Sequence, residues 1–147
     1  MHNLTYKRIL REDDADIPNL IAIYKKPEIA QYISIGDNYF HYVTTNEEVY
    51  FHKIYENNQL IGATHIERQG TGLFMDILVF PEFQKNGFGT KILKDIQNDV
   101  FELGFDRIEI SIDAGNIASL RLFENAGFVC ISQEDELLNY VYQLRTT

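Results

Sequence analysis

Between Phe80 and Phe88 the hydrophobic spacing of the chain changes period, and that change constrains the fold more than any other feature. Ahead of it, "LFMDILVF", residues 73–80, is an apolar run broken only by Asp76, the pattern of a strand buried in a sheet. Behind it, Phe88, Ile92, Leu93, Ile96, Val100 and Leu103 recur at helical spacing, a stripe that ends at Gly104, a C-cap residue. The join, "PEFQKNGFG", holds Gly87 and Gly89. A strand that hands over to a helix through a glycine turn belongs to an α/β (α+β) architecture. In open sheets of that kind, ligands sit at the carboxyl end of the strand.

The remaining elements extend this frame. "LTYKRIL", residues 4–10, reads as a first strand. Asp13 and Asp14 offer a cap for a helix through about Tyr24, with Ile17, Leu20, Ile21 and Tyr24 on one side. Pro27 opens a second short helix toward Ile33, and "GDN" at 36–38 breaks it. "YFHYVTT", "VYFHKIYE", "LIGATHIE" and "LFMDILVF" read as strands of an antiparallel meander, with turns at Asn57-Asn58 and Gly70-Thr71-Gly72. Later come the strand "RIEISI", a helix from Asn116 to Ala126 that stops at Gly127, and two closing strands, "FVCIS" and "NYVYQL". No linker or repeat interrupts the order, so residues 1–147 read as one domain.

Composition narrows the function classes. The chain is 45% hydrophobic and 13% aromatic, the profile of a packed globular protein. Thirteen basic and 22 acidic side chains give a formal charge of −9, which repels nucleic-acid phosphates and anionic lipid and favours cationic small molecules. The start, "MHNLTYKRIL", has no apolar signal region and no run is long enough to cross a membrane, so a cytoplasmic location is expected. Cys130 stands alone in "GFVCIS", where a small buried hydrophobe is expected. His2, His41, His52 and His65 show no metal-ligand spacing, and no metal site is expected.

The glycine turn has a chemistry of its own. Glycine lets the backbone adopt positive φ and lets a bulky anion approach the amides. Those amides are also the unpaired N–H groups of a helix N-terminus, whose dipole favours negative charge. The result is a phosphate cradle to which Gln84, Lys85 and Thr90 can add side-chain donors. It is not a P-loop, because no glycine stands ahead of Gly87 at the required spacing and no Lys follows a glycine. Nor is it a dinucleotide fingerprint, since Ile92 occupies the third glycine's place; Glu109, at the distance of a ribose-binding acid, reads as a strand residue. A nucleotide-binding protein with this cradle remains one reading, and ATP or NAD would then compete with a phosphate ligand.

Gln84-Lys85-Asn86-Gly87-Phe88-Gly89 resembles the Gln/Arg-x-x-Gly-x-Gly/Ala signature of the GNAT superfamily of acetyl-CoA-dependent N-acetyltransferases. "NIASLRLFENAGF", residues 116–128, is similar to that family's second motif. The resemblance covers most of the chain, residues 1–55 being the least diagnostic. It implies a mixed, mostly antiparallel sheet of about six to seven strands flanked by about four helices. It also implies acetyl-CoA as cosubstrate: Leu78 and Val79 offer main-chain groups to the pantetheine arm, the amides of residues 84–90, Gln84, Lys85, Asn86, Gly87, Phe88, Gly89 and Thr90, hold the pyrophosphate, and Asn116 and Ser119 face the thiol end. Asn116 and Ser119 also make sense as helix capping, and the two roles can coexist.

Acetyl transfer needs a neutral amine, and a lysine-like ammonium costs roughly 4–5 kcal/mol to deprotonate at pH 7. Asp76, a carboxylate inside an apolar strand, is the first candidate base, with substrate binding as its competing role. Glu67 and His65 come next, although alternation places both on one side of their strand, where they could face solvent. The departing thiolate needs a proton in turn. Where many family members carry a tyrosine in the second motif, this chain has Phe123, which has no hydroxyl; Ser119, Tyr140, Tyr142 or water are the substitutes. By resemblance, residues 25–43 form a wall of the acceptor pocket, where Tyr32, Tyr39, Phe40 and Tyr42 either stack on an amine or fill the core. The expected activity is direct acetylation of a primary amine on a small molecule or peptide, with a non-catalytic CoA-responsive module as the alternative. The closing strands leave an edge open to pairing in a homodimer.

Overall fold

In a computed structural model of the protein, which describes residues 3–144, a single seven-stranded sheet organises the chain. Its strands are β1 (Leu4–Arg8), β2 (Val49–Glu56), β3 (Gln59–Gln69), β4 (Gly72–Val79), β5 (Arg107–Asp113), β6 (Val129–Glu134) and β7 (Leu137–Gln143), in spatial order β1-β2-β3-β4-β5-β7-β6. The first four pair antiparallel in succession, and β7 lies antiparallel between β5 and β6. Only β4 and β5 run parallel. Parallel neighbours need a crossover, and α4 (Phe88–Gln97) supplies it. The other helices are α1 (Ile17–Tyr24), α2 (Pro27–Ala30), α3 (Tyr39–Thr45) and α5 (Ile117–Asn125). The sheet is mixed and mostly antiparallel as expected, flanked by five helices rather than about four.

Each sheet face carries its own core. Ile66, Leu73, Met75 and Ile108 pack with Phe88, Ile92, Leu93 and Ile96 of α4 and Phe123 of α5. On the opposite face, Val49, Phe51, Ala63 and Leu78 pack with Leu20 and Ile23 of α1 and Phe40 and Val43 of α3. Each such buried side chain contributes about 1.5–3 kcal/mol, so both helical layers are firmly docked. The ligand-facing end of β4 is therefore held from two sides.

Four expectations fail for physical reasons. "YFHYVTT" is helix α3 rather than a strand: Phe40 and Val43, one helical turn apart, are buried on one side, and Thr44 and Thr45 donate to the Phe40 and His41 carbonyls at 2.8 and 2.7 Å. Such back-bonding accommodates β-branched threonines in a helix. Helix α4 ends at Gln97 instead of Gly104, because Asp99 (φ 56°) and Glu102 (φ 55°) turn left-handed and the Asp99 carboxylate accepts the Leu103 and Gly104 amides. Helix α1 begins at Ile17, not at Asp13 or Asp14; Asp14 instead accepts the Asp16 amide and, with Asp16, holds Lys53. Cys130 is exposed, since β6 is the outermost strand and is exposed along its length. His2 lies outside the described residues.

Candidate active site

The site begins where two parallel strands part. β4 and β5 pair over only Gly72–Arg107, Leu73–Ile108 and Phe74–Glu109, whereas β3 and β4 pair from Gln69–Gly72 as far as Gly62–Val79. Beyond Phe74 the β5 side of β4 has no strand partner. The Phe80 amide donates to Ile61 on β3, and the Leu78 carbonyl is turned so closely to Gly62 that a Cβ there would sit 2.2 Å from its oxygen. By alternation, the main-chain groups of Ile77 and Val79 face the opposite way, into the gap. A cavity of about 520 Å³ occupies it, with Ile77, Leu78 and Val79 on one bank, Asn116, Ala118, Ser119 and Leu122 of α5 on the other, and Glu28, Ile29, Gln31, Tyr32 and Ile33 across one side.

The glycine turn closes one end. Gln84, Lys85, Gly87, Phe88 and Gly89 line the cavity there. Lys85 (φ 65°) and Gly87 (φ 81°) are left-handed on either side of Asn86, and alternation of that kind aims successive N–H groups at one point. The first hydrogen bond of α4 runs from the Lys91 amide to the Gly87 carbonyl at 3.2 Å. Among the described residues, no hydrogen bond is made by the amides of Lys85, Gly87, Gly89 and Thr90. Only Gly87 needs its missing Cβ for backbone conformation. Gly89 is helical, and a Cβ there would lie 3.2 Å from Leu122 Cδ2, so it keeps α4 close to α5. Gln84 Nε2 donates back to the Val79 carbonyl at 2.9 Å, and Asn86 Nδ2 donates to the Phe83 and Gln84 carbonyls, which pins the turn's shape. Asn86 and Thr90 do not line the cavity.

On the far bank, Asn116 caps α5 by accepting the Ser119 amide at 3.3 Å, and both residues line the cavity. Among the described residues, Lys85 is the only cation and Glu28 the only carboxylate on its walls. Glu28 and Ile77 carried no signal of their own in the sequence. Glu28 is one exposed acid on a four-residue helix, while Ile77 could have been inferred from its place between Asp76 and Leu78.

Asp76 and Glu67 lie together on the α1–α3 face of the sheet, beside the cavity and not on its wall. Asp76 is paired across the strands with His65. Its Oδ1 is enclosed and has no hydrogen-bond partner among the described residues, and the same holds for the Tyr24 hydroxyl. Burial raises the Asp76 carboxyl above the usual carboxylate range, with neighbouring His65 opposing. Burial also raises the Tyr24 and Tyr39 hydroxyls, and the Asp76 carboxylate adds to both shifts. Tyr39 Oη lies 2.5 Å from His65 Nδ1, His65 Nε2 lies 3.2 Å from Glu67 Oε1, and Tyr42 donates to the same Glu67 oxygen at 2.7 Å. His65 and Glu67 are thus covered by α3 and tied into a tyrosine network instead of facing open solvent. Phe40 is core.

Phe123 is buried edge-to-face against Phe128, 5.0 Å between ring centroids, and is absent from the cavity wall. Tyr140 donates to Glu124 at 2.7 Å and Tyr142 stacks on Phe128; neither reaches the cavity. Among the described residues, no helix is long and apolar enough to cross a membrane, and no group of three or more His, Cys, Asp or Glu side chains is placed to hold a metal.

Residues 11–128 match the family model described as the acetyltransferase (GNAT) family. No relative is found among curated protein sequences. Among solved structures, a domain from Methanocaldococcus jannaschii DSM 2661 is similar at TM-score 0.82 and 19% identity, covering 98% of this chain and 100% of that one. Spermidine N-acetyltransferase from Vibrio cholerae, in complex with CoA and spermine, is similar at TM-score 0.80 and 14% identity over 95% of each chain. The Campylobacter jejuni N-acetyltransferase PseH, in complex with acetyl coenzyme A, is similar at TM-score 0.78 and 12% identity over 97% of this chain and 100% of that one. At these identities the structures speak to the fold, and the family model, spanning most of the chain, speaks to descent. The chain belongs to the acetyltransferase (GNAT) family and is by that membership an N-acetyltransferase.

Proposed function

We propose that the protein transfers an acetyl group from acetyl-CoA directly to a primary amine of a small molecule or peptide. The observation that carries this reading is the parting of β4 from β5 into a cavity whose closed end presents open amides. The Lys85, Gly87, Gly89 and Thr90 amides, with the Lys85 side chain, suit a diphosphate. The unpaired edge of β4 at Ile77 and Val79 suits the amide-bearing pantetheine arm, whereas the Leu78 main chain is turned to β3 and only borders the cavity; Asn116 and Ser119 stand on the opposite bank. When bound, acetyl-CoA supplies an activated acyl thioester. Asp76 takes the acceptor's proton, directly or through water; its orphaned Oδ1 and raised carboxyl pKa support that role, and Glu67 stands by through His65. The solved neighbours crystallised with CoA, acetyl-CoA or spermine fit the same ligand classes.

Calorimetry with acetyl-CoA, coupled to thiol release over polyamines, aminoglycosides, amino acids and peptide N-termini, tests the proposal. Micromolar binding with release from at least one amine is expected, and failure to bind acetyl-CoA would refute it. A non-catalytic CoA-responsive module is the second reading, favoured by the absence of Asp76, Glu67 and Phe123 from the cavity wall. Binding without release from any acceptor selects it. The exposed outer strand β6, with Val129 and Ile131 both more than half exposed, is the edge on which a second copy would pair, and sedimentation reads that out.

A further inference from the structure

The cavity wall carries one phenol among the described residues, and its chemistry suits a step that acetyl transfer requires. Breaking a thioester leaves a thiolate, and a nearby proton donor speeds that departure by roughly 10²–10⁴-fold. Of the nine tyrosines in the chain, only Tyr32 lines the cavity. None of the other eight lines it: Tyr6, Tyr39, Tyr42, Tyr55 and Tyr140 are hydrogen-bonded to Asp95, His65, Glu67, Asp16 and Glu124, Tyr142 stacks on Phe128, the Tyr50 ring lies under Arg8, and the Tyr24 hydroxyl, though unpartnered, is sealed in the core. Tyr32 lies just beyond α2 on the cavity wall, and its hydroxyl donates to the Gly115 carbonyl at 3.2 Å. That is long for an O–H···O bond, whose usual length is about 2.7–2.8 Å. The side chain is 39% exposed and makes no other hydrogen bond to the protein among the described residues, so it is free to exchange this weak acceptor for a better one. Gly115 immediately precedes Asn116, which with Ser119 forms the α5 bank.

Resting on the transferase reading above, we propose that Tyr32 is the proton donor to the leaving thiolate. As the thioester C–S bond breaks and its electron pair passes to sulphur, Tyr32 gives up its hydroxyl proton to that sulphur. The phenolate recovers a proton from water, and the proton that Asp76 takes from the acceptor nitrogen passes on to solvent, so amine plus thioester becomes amide plus thiol. Between turnovers the Gly115 carbonyl holds the hydroxyl.

The test compares full-length parent, Tyr32→Phe and Ser119→Ala. Because Tyr32 is exposed and singly bonded, Tyr32→Phe is expected to melt with the parent and to bind acetyl-CoA within about twofold by calorimetry. The pKa of the bound CoA thiol, followed by thiolate absorbance in the ultraviolet, is expected to rise in Tyr32→Phe relative to the parent. The rate with acetyl-CoA should fall about 10²-fold. With the acetyl thioester of an acidic aromatic thiol, which departs without a proton, it should fall less than threefold. Equal losses with both donors, an unchanged bound-thiol pKa, or a loss that follows Ser119→Ala alone overturns the assignment. A parent that releases thiol from neither donor overturns the transferase reading and this assignment with it. A parent that turns over beside an unaffected Tyr32→Phe overturns this assignment alone.

Discussion

Replacing Gly89 separates its two possible uses, spacing between helices and access to the amides. Because Gly89 is helical, a side chain meets no backbone penalty, and its Cβ would sit 3.2 Å from Leu122 Cδ2, a flexible tip that can yield a few tenths of an ångström. Exchanging glycine for glutamine in a helix gains about 0.5 kcal/mol of propensity, which partly offsets that crowding. Stability in Gly89→Gln is therefore expected within about 1 kcal/mol of the parent, a melting shift of no more than about 4 °C for a domain of this size. Beyond Cβ a glutamine side chain has the cavity that Gly89 and Leu122 both line to extend into, which would cover the amides at the start of α4. Hydrogen bonds to a charged acceptor are worth about 1.5–3 kcal/mol each, so losing two removes about 3 kcal/mol or more and weakens acetyl-CoA by at least about 10²-fold. Titration calorimetry beside thermal melting reads both quantities. A dissociation constant within about threefold of the parent, at an unchanged melting temperature, would show that the diphosphate does not use these amides.

Three other perturbations have signed outcomes. Burial, helped by Arg8, pushes the His52 imidazole down to about 4, against 6.5 when unfolded. The unfolded chain therefore binds more protons between pH 6.5 and 4, and unfolding free energy should fall by up to about 3 kcal/mol as pH drops through that window; urea titrations should show the drop shrink in His52→Phe, whose ring still stacks on Phe101. Gly62→Ala drives a Cβ to 2.2 Å from the Leu78 carbonyl oxygen, backbone against backbone, and should lower the urea midpoint while weakening acetyl-CoA through displacement of β4; an unchanged midpoint would mean β3 and β4 shift apart freely. For Asp76 the folded pKa is raised, so a rate carried by its ionised form climbs with pH through a midpoint above the usual carboxylate value. Asp76→Asn should abolish that limb and lower turnover by about 10²-fold, and a retained limb assigns the base elsewhere.

The chain's own pattern determined the strand-to-helix exchange at residues 80–88, the strands on either side, and the two motif segments that meet in the cavity. These are local: period two against period 3.6, and a glycine where φ must be positive, are written in consecutive residues. Gln84, Lys85, Gly87 and Gly89 were legible in the glycine turn itself, whereas Leu78, Val79, Phe88, Asn116 and Ser119 were singled out through the resemblance of their segments to GNAT motifs; all nine line one cavity. Tertiary structure alone decided that "YFHYVTT" is a helix, because burial of Phe40 and Val43 under one sheet face outweighs β-branched propensity. It alone decided that β4 and β5 separate after Phe74, since strand pairing joins residues distant in the chain and no local period encodes where pairing stops. The cavity that opens there, the Tyr32–Gly115 contact beside it and the place of Asp76 behind its wall each depend on where two layers of helices dock against the sheet rather than on any run of neighbouring residues.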